Sequence, residues 1–360
     1  MQYRKSFPGL QKCIYADTAA TGLMHTDLAK WRQQHDHNQL SSGSSNWSEI
    51  VSILNETRVT LKRFFKADQS EVALVPNFSI GINLLLENQL PDQNVLLIKH
   101  DYPSVNWPIE NRKFNATYVA PDPDLERNIS RIVGSGNIHI LALSLVQWLN
   151  GIRIRPGFLK ELKDQHPSLL IIADGTQYCG AFSLDFDSSG IDVLGASGYK
   201  WLLGGYGNGF MIIRKSAISR FSTPSAGFNS ADGDLRRRHS YPFWKRLEPG
   251  HLDGMNFGSL NYSLKMLNEL GMDKIDSHNR SLAEYAQRAF GKLGLLQKEV
   301  LERQVHGSIF RLEADRDLFE HLKHNGVMCS WRSDGVRLSF HFYNTEQEID
   351  RIVEIIKTKH

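Results

Sequence analysis

Two kinds of reactive side chain follow two neighbouring apolar segments of this chain. Asp174 and Gln177 come directly after the apolar run "LLIIA", and Lys200 comes after "IDVLGAS". Because ligands of open α/β sheets bind beyond the carboxyl ends of the strands, we expect these side chains to share one crevice. A desolvated lysine there can reach its neutral form and attack a carbonyl carbon, and an aspartate can keep a ring nitrogen protonated. The pattern indicates imine chemistry on a bound carbonyl compound.

That chemistry needs a sheet to position it, and the sequence contains seven short apolar segments suited to one. They lie between about residues 71 and 214 and read VALV, NVLLIKH, ATYVA, IHILALSLV, LLIIADG, IDVLGASG and GFMIIRK. Segments that are apolar throughout and rich in β-branched residues are typical of strands covered on both faces by helices. We therefore predict an α/β sheet domain.

The composition changes after residue 215, where a glycine- and arginine-rich stretch reads as a long irregular connection. Helical patterns then alternate with the strand-like segments "HGSIFRLEA" and "GVRLSFHFY", which indicates a small α+β domain. We predict that residues 15–250 form the large domain and that residues 1–14 and 251–360 form the small one.

Composition and charge limit the class of partner. Of the 360 residues 41% are hydrophobic and 22% are charged, with a net charge of +3, which argues against disorder and against binding to nucleic acid or a membrane. The three cysteines have no close pair, and the N-terminus lacks the apolar core of a signal peptide. We expect a cytoplasmic protein with a small-molecule partner and no metal centre.

The motifs around these residues resemble those of the class V aminotransferase and cysteine desulfurase group of pyridoxal-phosphate (PLP) enzymes, fold type I. The matching segments, in chain order, are YADTAATGLM, PNFSIGINLLL, HDYPSVNWP, SLVQWLNGIRI, ADGTQ, SGYKW, MNFGS and VRLSFHFYNT. The resemblance implies a large, mainly parallel seven-stranded sheet sandwiched by helices, with a smaller α+β C-terminal domain. It also implies PLP as the cofactor and an amino acid as the substrate.

The resemblance assigns roles around the cofactor ring. Lys200 would form the internal aldimine, and Asp174 would pair with the pyridine nitrogen. Gln177 would approach the ring hydroxyl oxygen, and Tyr102 stands where the family stacks a ring, often that of histidine, on the cofactor.

A second group of residues would bind the phosphate. Phe78 and Ser79 would do so chiefly through backbone N–H groups at a helix start, joined by Ser197 and Tyr199. Ser259, in "NFGS", stands where a neighbouring subunit reaches the phosphate. The resemblance therefore implies a homodimer with its active site at the subunit interface.

Substrate binding is implied for two further residues. Arg337, in "GVRLS", matches the arginine that binds the substrate carboxylate, for which a planar two-pronged donor is well suited. Trp148 stands near the place of an asparagine that often touches the ring oxygen. Trp148 departs from the commonest pattern of the family. So do Thr18, which stands where an asparagine is usual, and Tyr199, which replaces a frequent histidine beside the lysine. These three departures leave the reaction type open.

Sulfur-mobilising relatives need a nucleophilic cysteine on a flexible loop, and Cys329 is the nearest candidate in sequence. The flanking short strands joined by "RSDG" predict a hairpin instead, and an isolated cysteine is more often a small buried residue. We therefore rank transamination first. Cysteine desulfuration or selenocysteine lysis and amino-acid epimerisation are alternatives on the same scaffold.

Two other classes of function are alternatives to an enzyme of this type. A scaffold that binds PLP or an amino acid without turnover would share the fold, since fold does not fix function. An NAD-dependent dehydrogenase would need a glycine-rich turn from a strand into a helix. The glycines after Lys200 are followed by a strand-like segment, "GFMIIRK", which disfavours that class.

Overall fold

A computed structural model describes residues 2–88, 92–237 and 240–359 of the chain. Its strands are β1 (Ile14–Tyr15), β2 (Ser70–Val75), β3 (Asn94–Ile98), β4 (Asn115–Val119), β5 (Ile140–Ser144), β6 (Leu170–Asp174), β7 (Val193–Ser197), β8 (Gly209–Arg214), β9 (Ile309–Leu312), β10 (Val327–Met328), β11 (Ser330–Trp331) and β12 (Val336–Ser339). Its α-helices are α1 (Thr26–Ser42), α2 (Trp47–Phe65), α3 (Phe78–Leu85), α4 (Pro103–Glu110), α5 (Leu125–Gly134), α6 (Phe158–Gln165), α7 (Gly254–Leu270), α8 (Met272–Gly291), α9 (Lys298–Leu301), α10 (Arg316–His324) and α11 (Glu346–Thr358).

The seven predicted segments form one sheet, in the order β2-β8-β7-β6-β5-β3-β4. Strands β3 to β7 pair in parallel, and β8 runs antiparallel to both of its neighbours. The prediction of a mainly parallel seven-stranded α/β sheet is confirmed. The strand order reverses between β3 and β5, and such switch points open a crevice beyond the carboxyl ends of the strands.

Helices cover both faces of this sheet. One face packs against α2, α5, α6 and α7, and the opposite face packs against α3 and α4, so the sheet lies between two apolar layers. The amphipathic helix α2 buries Leu54, Leu61 and Phe65 against the first face. Double coverage explains why the central strands are apolar at nearly every position.

The small domain has its own sheet and core. Strands β11, β12 and β9 form an antiparallel sheet, and β1 pairs with β10 in parallel. A separate apolar cluster joins this sheet to α10, α11 and the second half of α8. Helix α7 instead packs in the core of the large sheet. The two apolar clusters therefore meet within α8, and the predicted domain boundary at residue 250 stays a prediction.

A tight hairpin connects β11 and β12, as "RSDG" predicted. Arg332 and Gly335 exchange two backbone hydrogen bonds, and Ser333 and Asp334 have φ angles of 44° and 56°. Positive φ at both central residues is the geometry of a two-residue hairpin turn. Among the helices of the described ranges, none is long and apolar enough to cross a membrane.

Candidate active site

Lys200 lies in the loop that follows β7, beneath two tyrosine rings. Its side chain is buried, and its Nζ lies 5.4 Å from the centroid of the Tyr102 ring and 5.5 Å from that of Tyr199. Burial, and then the charge of Arg337, lower the pKa of the Lys200 ammonium, whereas Asp174 raises it. Within the described residues no hydrogen bond engages this Nζ. The lysine is therefore held in a position where the neutral amine is accessible.

Asp174 is the last residue of β6, one strand away from the strand that leads to Lys200. Its Oδ1 accepts a hydrogen bond of 2.8 Å from the backbone N–H of Thr176. Burial raises the pKa of Asp174, and the hydrogen bonds from Thr176 and the charge of Lys200 oppose that shift. The structure thus brings the predicted acid and lysine close enough to perturb each other's pKa.

Hydrogen bonds link Asp174 to the starts of two helices. The Thr176 Oγ1 accepts from the Ser197 N–H at 3.1 Å, and the Ser197 Oγ accepts from the Phe78 N–H at 3.0 Å. At the same edge the hydroxyls of Ser79, in α3, and Ser104, in α4, lie 2.6 Å apart. Hydroxyls beside helix N-termini suit an anion, because the helix dipoles and free N–H groups favour negative charge there.

Contacts with neighbouring residues hold the Gln177 and Tyr199 side chains in place. The Gln177 Nε2 donates to the Ala19 carbonyl at 3.1 Å, and its Oε1 accepts from the Trp201 Nε1 at 2.6 Å. One Nε2 hydrogen is left for a ligand. The Tyr199 ring stacks on Tyr206 with centroids 4.5 Å apart, and burial raises the pKa of Tyr199 to about 12, so its hydroxyl stays protonated.

Arg337 lies in β12 of the small domain and is almost fully buried. Its Nη1 donates to the Trp148 carbonyl at 2.9 Å, and its Nη2 lies 3.8 Å from the Asp17 Oδ1. Among the residues that the structure describes, its Nε has no hydrogen-bond partner. Asp17 is itself fixed by the Ser330 hydroxyl, which donates to both carboxylate oxygens at 2.8 and 2.6 Å. Burial lowers the pKa of Arg337 to about 10, which leaves the guanidinium charged at neutral pH with donors to spare.

Trp148 forms a wall between the rings and Arg337. Its indole packs edge-on against Tyr102 at 5.8 Å between centroids, and its Nε1 donates to the His100 carbonyl at 3.3 Å. Asp101 fixes the same loop, because its Oδ1 accepts from the Tyr102 N–H at 2.7 Å and its Oδ2 from the Ser144 N–H at 2.8 Å. Trp148 thus contributes its carbonyl as an acceptor for Arg337 and its indole ring as a contact for Tyr102.

Ser259 is not brought to this crevice. It lies on the buried face of α7, where its hydroxyl donates to the Met255 carbonyl at 2.7 Å and accepts from Arg32 Nη1 at 2.7 Å. The side chain is fully buried in its own subunit. The structure describes one subunit, so the predicted contact of Ser259 with a neighbouring subunit's phosphate stays a prediction.

The cysteines do not supply a nucleophile in this conformation. Cys329 lies between β10 and β11, is buried, and has its pKa raised to about 12 chiefly by burial. Burial also raises the pKa values of Cys13 and Cys179. Because the thiolate is the reactive form, these raised pKa values disfavour nucleophilic attack by the three cysteines.

Four site residues were missed from the sequence: Asp17, Asp101, Ser104 and Thr176. All four lie inside or beside motifs that carried the resemblance, next to residues that were singled out. The sequence feature that could have identified them is a short polar side chain at the end of a predicted strand. They position other groups by hydrogen bonds, which residue spacing alone does not show.

Comparison with known proteins relates this chain to one family of enzymes. The model of the family "Aminotransferase class-V" matches residues 14–352. The chain is 22% identical to the uncharacterized aminotransferase YcbU of Bacillus subtilis, over 99% of this chain and 97% of that protein. It is 25% identical to the isopenicillin N epimerase of Streptomyces clavuligerus, over 86% of this chain and 85% of that protein.

A solved structure shares the fold over nearly the whole length. It is a mutant of the cystine C–S lyase C-DES with glycine covalently linked to its PLP cofactor. The TM-score is 0.86 at 17% sequence identity, and the alignment covers 98% of each chain. At this identity the likeness describes the fold.

Proposed function

The chain belongs to the class-V aminotransferase family, and we propose that it is a PLP-dependent enzyme that transaminates an amino acid. The observation that carries the proposal is the convergence of a buried lysine, Lys200, with a buried carboxylate, Asp174, at the carboxyl edge of the sheet. Strongly perturbed groups that face one another in a crevice are typical of functional sites.

The described residues fit the cofactor. Lys200 is a buried amine without a hydrogen-bond acceptor, which suits a covalent bond to an aldehyde. Asp174 is a buried carboxylate with one oxygen engaged by a backbone N–H, which suits a protonated pyridine nitrogen. The Ser79, Ser104 and Ser197 hydroxyls beside two helix starts suit a phosphate. When bound, PLP supplies an electron-accepting ring that stabilises negative charge at the substrate α-carbon.

Each residue around that ring would do one task. Arg337 binds the substrate carboxylate and so orients the α-carbon, because its guanidinium is fixed by the Trp148 carbonyl and Asp17. Lys200, whose burial favours the neutral amine, takes the α-proton on its Nζ and later returns a proton. Asp174 holds its negative charge against the ring nitrogen. The Tyr102 and Trp148 rings exclude water from the reacting atoms.

Sulfur removal ranks behind transamination because of Cys329. A persulfide-forming mechanism needs an accessible thiolate, and this thiol is buried in the small-domain core with a raised pKa. Elimination from a sulfur-containing amino acid, as the name of C-DES describes for that protein, needs no such cysteine. Product analysis separates these outcomes from epimerisation.

We also infer a homodimer that places the active site near the subunit interface, located in the cytoplasm. Trp47 and Phe228 are 44% and 60% exposed and flank His251, whose ring lies 5.0 and 5.5 Å from theirs. Exposed aromatic clusters of this kind mark interaction surfaces. The three cysteines form no disulfide, as is usual in a reducing compartment. Light scattering of the wild type and of Phe228→Glu tests the dimer.

The decisive experiment is spectroscopic. Amino acids are added singly to the purified, PLP-reconstituted protein while the visible spectrum is followed, and the products are analysed for keto acid, sulfide or inverted amino acid. We expect keto acid. Borohydride is expected to fix the cofactor on Lys200 in the wild type and to leave Lys200→Ala unlabelled. Labelling elsewhere, or a spectrum that no amino acid changes, would refute the proposal.

A further inference from the structure

A second cavity adjoins the crevice and is large enough to decide the substrate class. It encloses about 600 Å³ at the carboxyl ends of β3, β4 and β5, where the large domain faces the small one. Cavities of several hundred Å³ are the usual size for ligands well beyond a three-carbon amino acid. Alanine or cysteine would leave most of this space unused.

The cavity and the crevice share a wall. Asp101 and Trp148 line the cavity, and the same two residues fix Tyr102 and Arg337. A substrate whose carboxylate lies on Arg337 and whose amine lies near Lys200 is therefore beside the cavity entrance. The remaining substituent of its α-carbon can extend along the Trp148 indole.

The lining of the cavity combines an apolar wall, which includes Pro121 and Leu149, with side chains of both signs of charge. Lys99 follows β3 and Arg311 lies in β9, so two cations face the space from opposite domains. Glu299, in the short helix α9, contributes a carboxylate. In the described part of the chain none of these three side chains forms an ion pair, and Arg311 donates through Nε to the Ser333 carbonyl at 3.1 Å.

Two amide side chains also line the cavity. Gln147 follows β5, is 4% exposed, and its side-chain amide interacts with the Asp101 carboxylate, whose pKa it helps to lower. The Asn150 side chain adds a further donor and acceptor to the lining.

We propose that this cavity is a subsite for the side chain of an amino acid that is long and ends in a group bearing both a carboxylate and an ammonium. Lys99 and Arg311 would bind the distal carboxylate, and Glu299 the distal ammonium. The inference rests on the proposed function, since it places the α-amino acid end of the substrate at Arg337 and Lys200.

The experiment compares amino acids that differ in their distal group and in chain length on the PLP-reconstituted enzyme. The probes are meso-diaminopimelate, which carries the full distal head group, L-2-aminoadipate, L-lysine, L-norleucine and L-alanine. Binding is measured by calorimetry, and kcat/KM is measured from keto acid release. We expect diaminopimelate to bind at least about tenfold more tightly than norleucine or alanine, because charge-assisted hydrogen bonds are the strong ones.

Charge-removing variants assign the effect to the cavity. Arg311→Gln and Glu299→Gln are each expected to reduce the preference for diaminopimelate over alanine by about tenfold. Glu302→Gln is the matched control. Glu302 directly follows α9, its side chain is exposed, and it does not line the cavity. It is expected to leave the preference unchanged.

The outcomes separate the two proposals. If alanine and norleucine bind and react as well as diaminopimelate, the subsite is refuted and the proposed function stands. If diaminopimelate binds in an Arg311-dependent way but no amino acid is converted, the subsite stands and the transaminase proposal is refuted. If the charge variants and the control shift the preference equally, the lining does not recognise the side chain and the inference is overturned.

Discussion

Replacing Arg337 by lysine tests whether this guanidinium binds the substrate carboxylate. The Nη1 is engaged by the Trp148 carbonyl at 2.9 Å, while Nε has no partner and Nη2 is 3.8 Å from Asp17, beyond hydrogen-bond distance. The donors not used by the protein are those that would hold the substrate. An ammonium at this position cannot keep the Trp148 contact and also make a two-pronged contact with a carboxylate.

The expected loss follows from one charge-assisted hydrogen bond. Such a bond contributes about 1.5–3 kcal/mol, which corresponds to a decrease of roughly 10- to 150-fold in kcat/KM for Arg337→Lys. The assay follows the spectral change of the reconstituted enzyme with its best amino acid substrate and with the amine that lacks the carboxylate. Only the amino acid is expected to lose rate, because the amine makes no contact with Arg337.

Arg303→Lys is the matched control for a buried arginine. Arg303 is also buried, and its Nη1 and Nη2 each donate to Glu126 at 2.7 Å, away from the crevice. This variant is expected to lower the melting temperature and to leave the preference for the amino acid over the amine unchanged. The reasoning is refuted if Arg337→Lys slows the amine as much as the amino acid, or if it slows neither.

Four further predictions concern other groups. Asp174→Asn is expected to weaken PLP binding by roughly 10- to 100-fold, measured by spectral titration, because an amide carries no charge for the ring nitrogen; unchanged binding would contradict the assigned role. Asp17→Asn is expected to raise KM for the amino acid more than it lowers kcat, since it loosens Arg337, and steady-state kinetics that show the reverse would exclude this. Cys329→Ala is expected to keep keto acid or sulfide release within about twofold and to reduce the free energy of unfolding by about 1 kcal/mol; loss of sulfide release alone would show that the thiol acts. Burial lowers the pKa of His306 to about 4 and that of His341 to about 3, from 6.5. Between these folded pKa values and pH 6.5 the unfolded chain therefore binds more protons than the folded chain. As the pH is lowered through this range, the free energy of unfolding is expected to decrease by up to about 1.4 kcal/mol per pH unit for each histidine. Urea denaturation of His306→Gln is expected to show a smaller slope.

The strands and the hairpin were predictable because their signals are local. Seven apolar segments became the seven strands of one sheet, and "RSDG" became the two-residue turn between β11 and β12. Cys329 is buried, as expected of an isolated cysteine. Each of these outcomes depends on residues that are close in sequence, where periodicity and turn chemistry decide the conformation.

The packing of α7 and the hydrogen-bond partners of Ser259 were not predictable in this way. Helix α7 has apolar residues that suit either core, and its contacts with α2 place it against the large sheet. Ser259 then lies on the buried side of α7, with Arg32 as its partner. Which face of a helix is covered depends on packing between elements that are distant in the chain, and the sequence of the helix alone does not specify it.

The amino-acid sequence by itself determined that an acid and a lysine end neighbouring parallel strands, because the carboxyl ends of such strands meet at one edge of a sheet. It also determined the α/β class through the length and apolar character of those strands. Only the tertiary structure decided that Arg337 meets Asp17 and the Trp148 carbonyl, and that a cavity with charged side chains in its lining opens beside them. These groups come from distant segments of two domains, and their contacts are fixed by the packing of one core against the other.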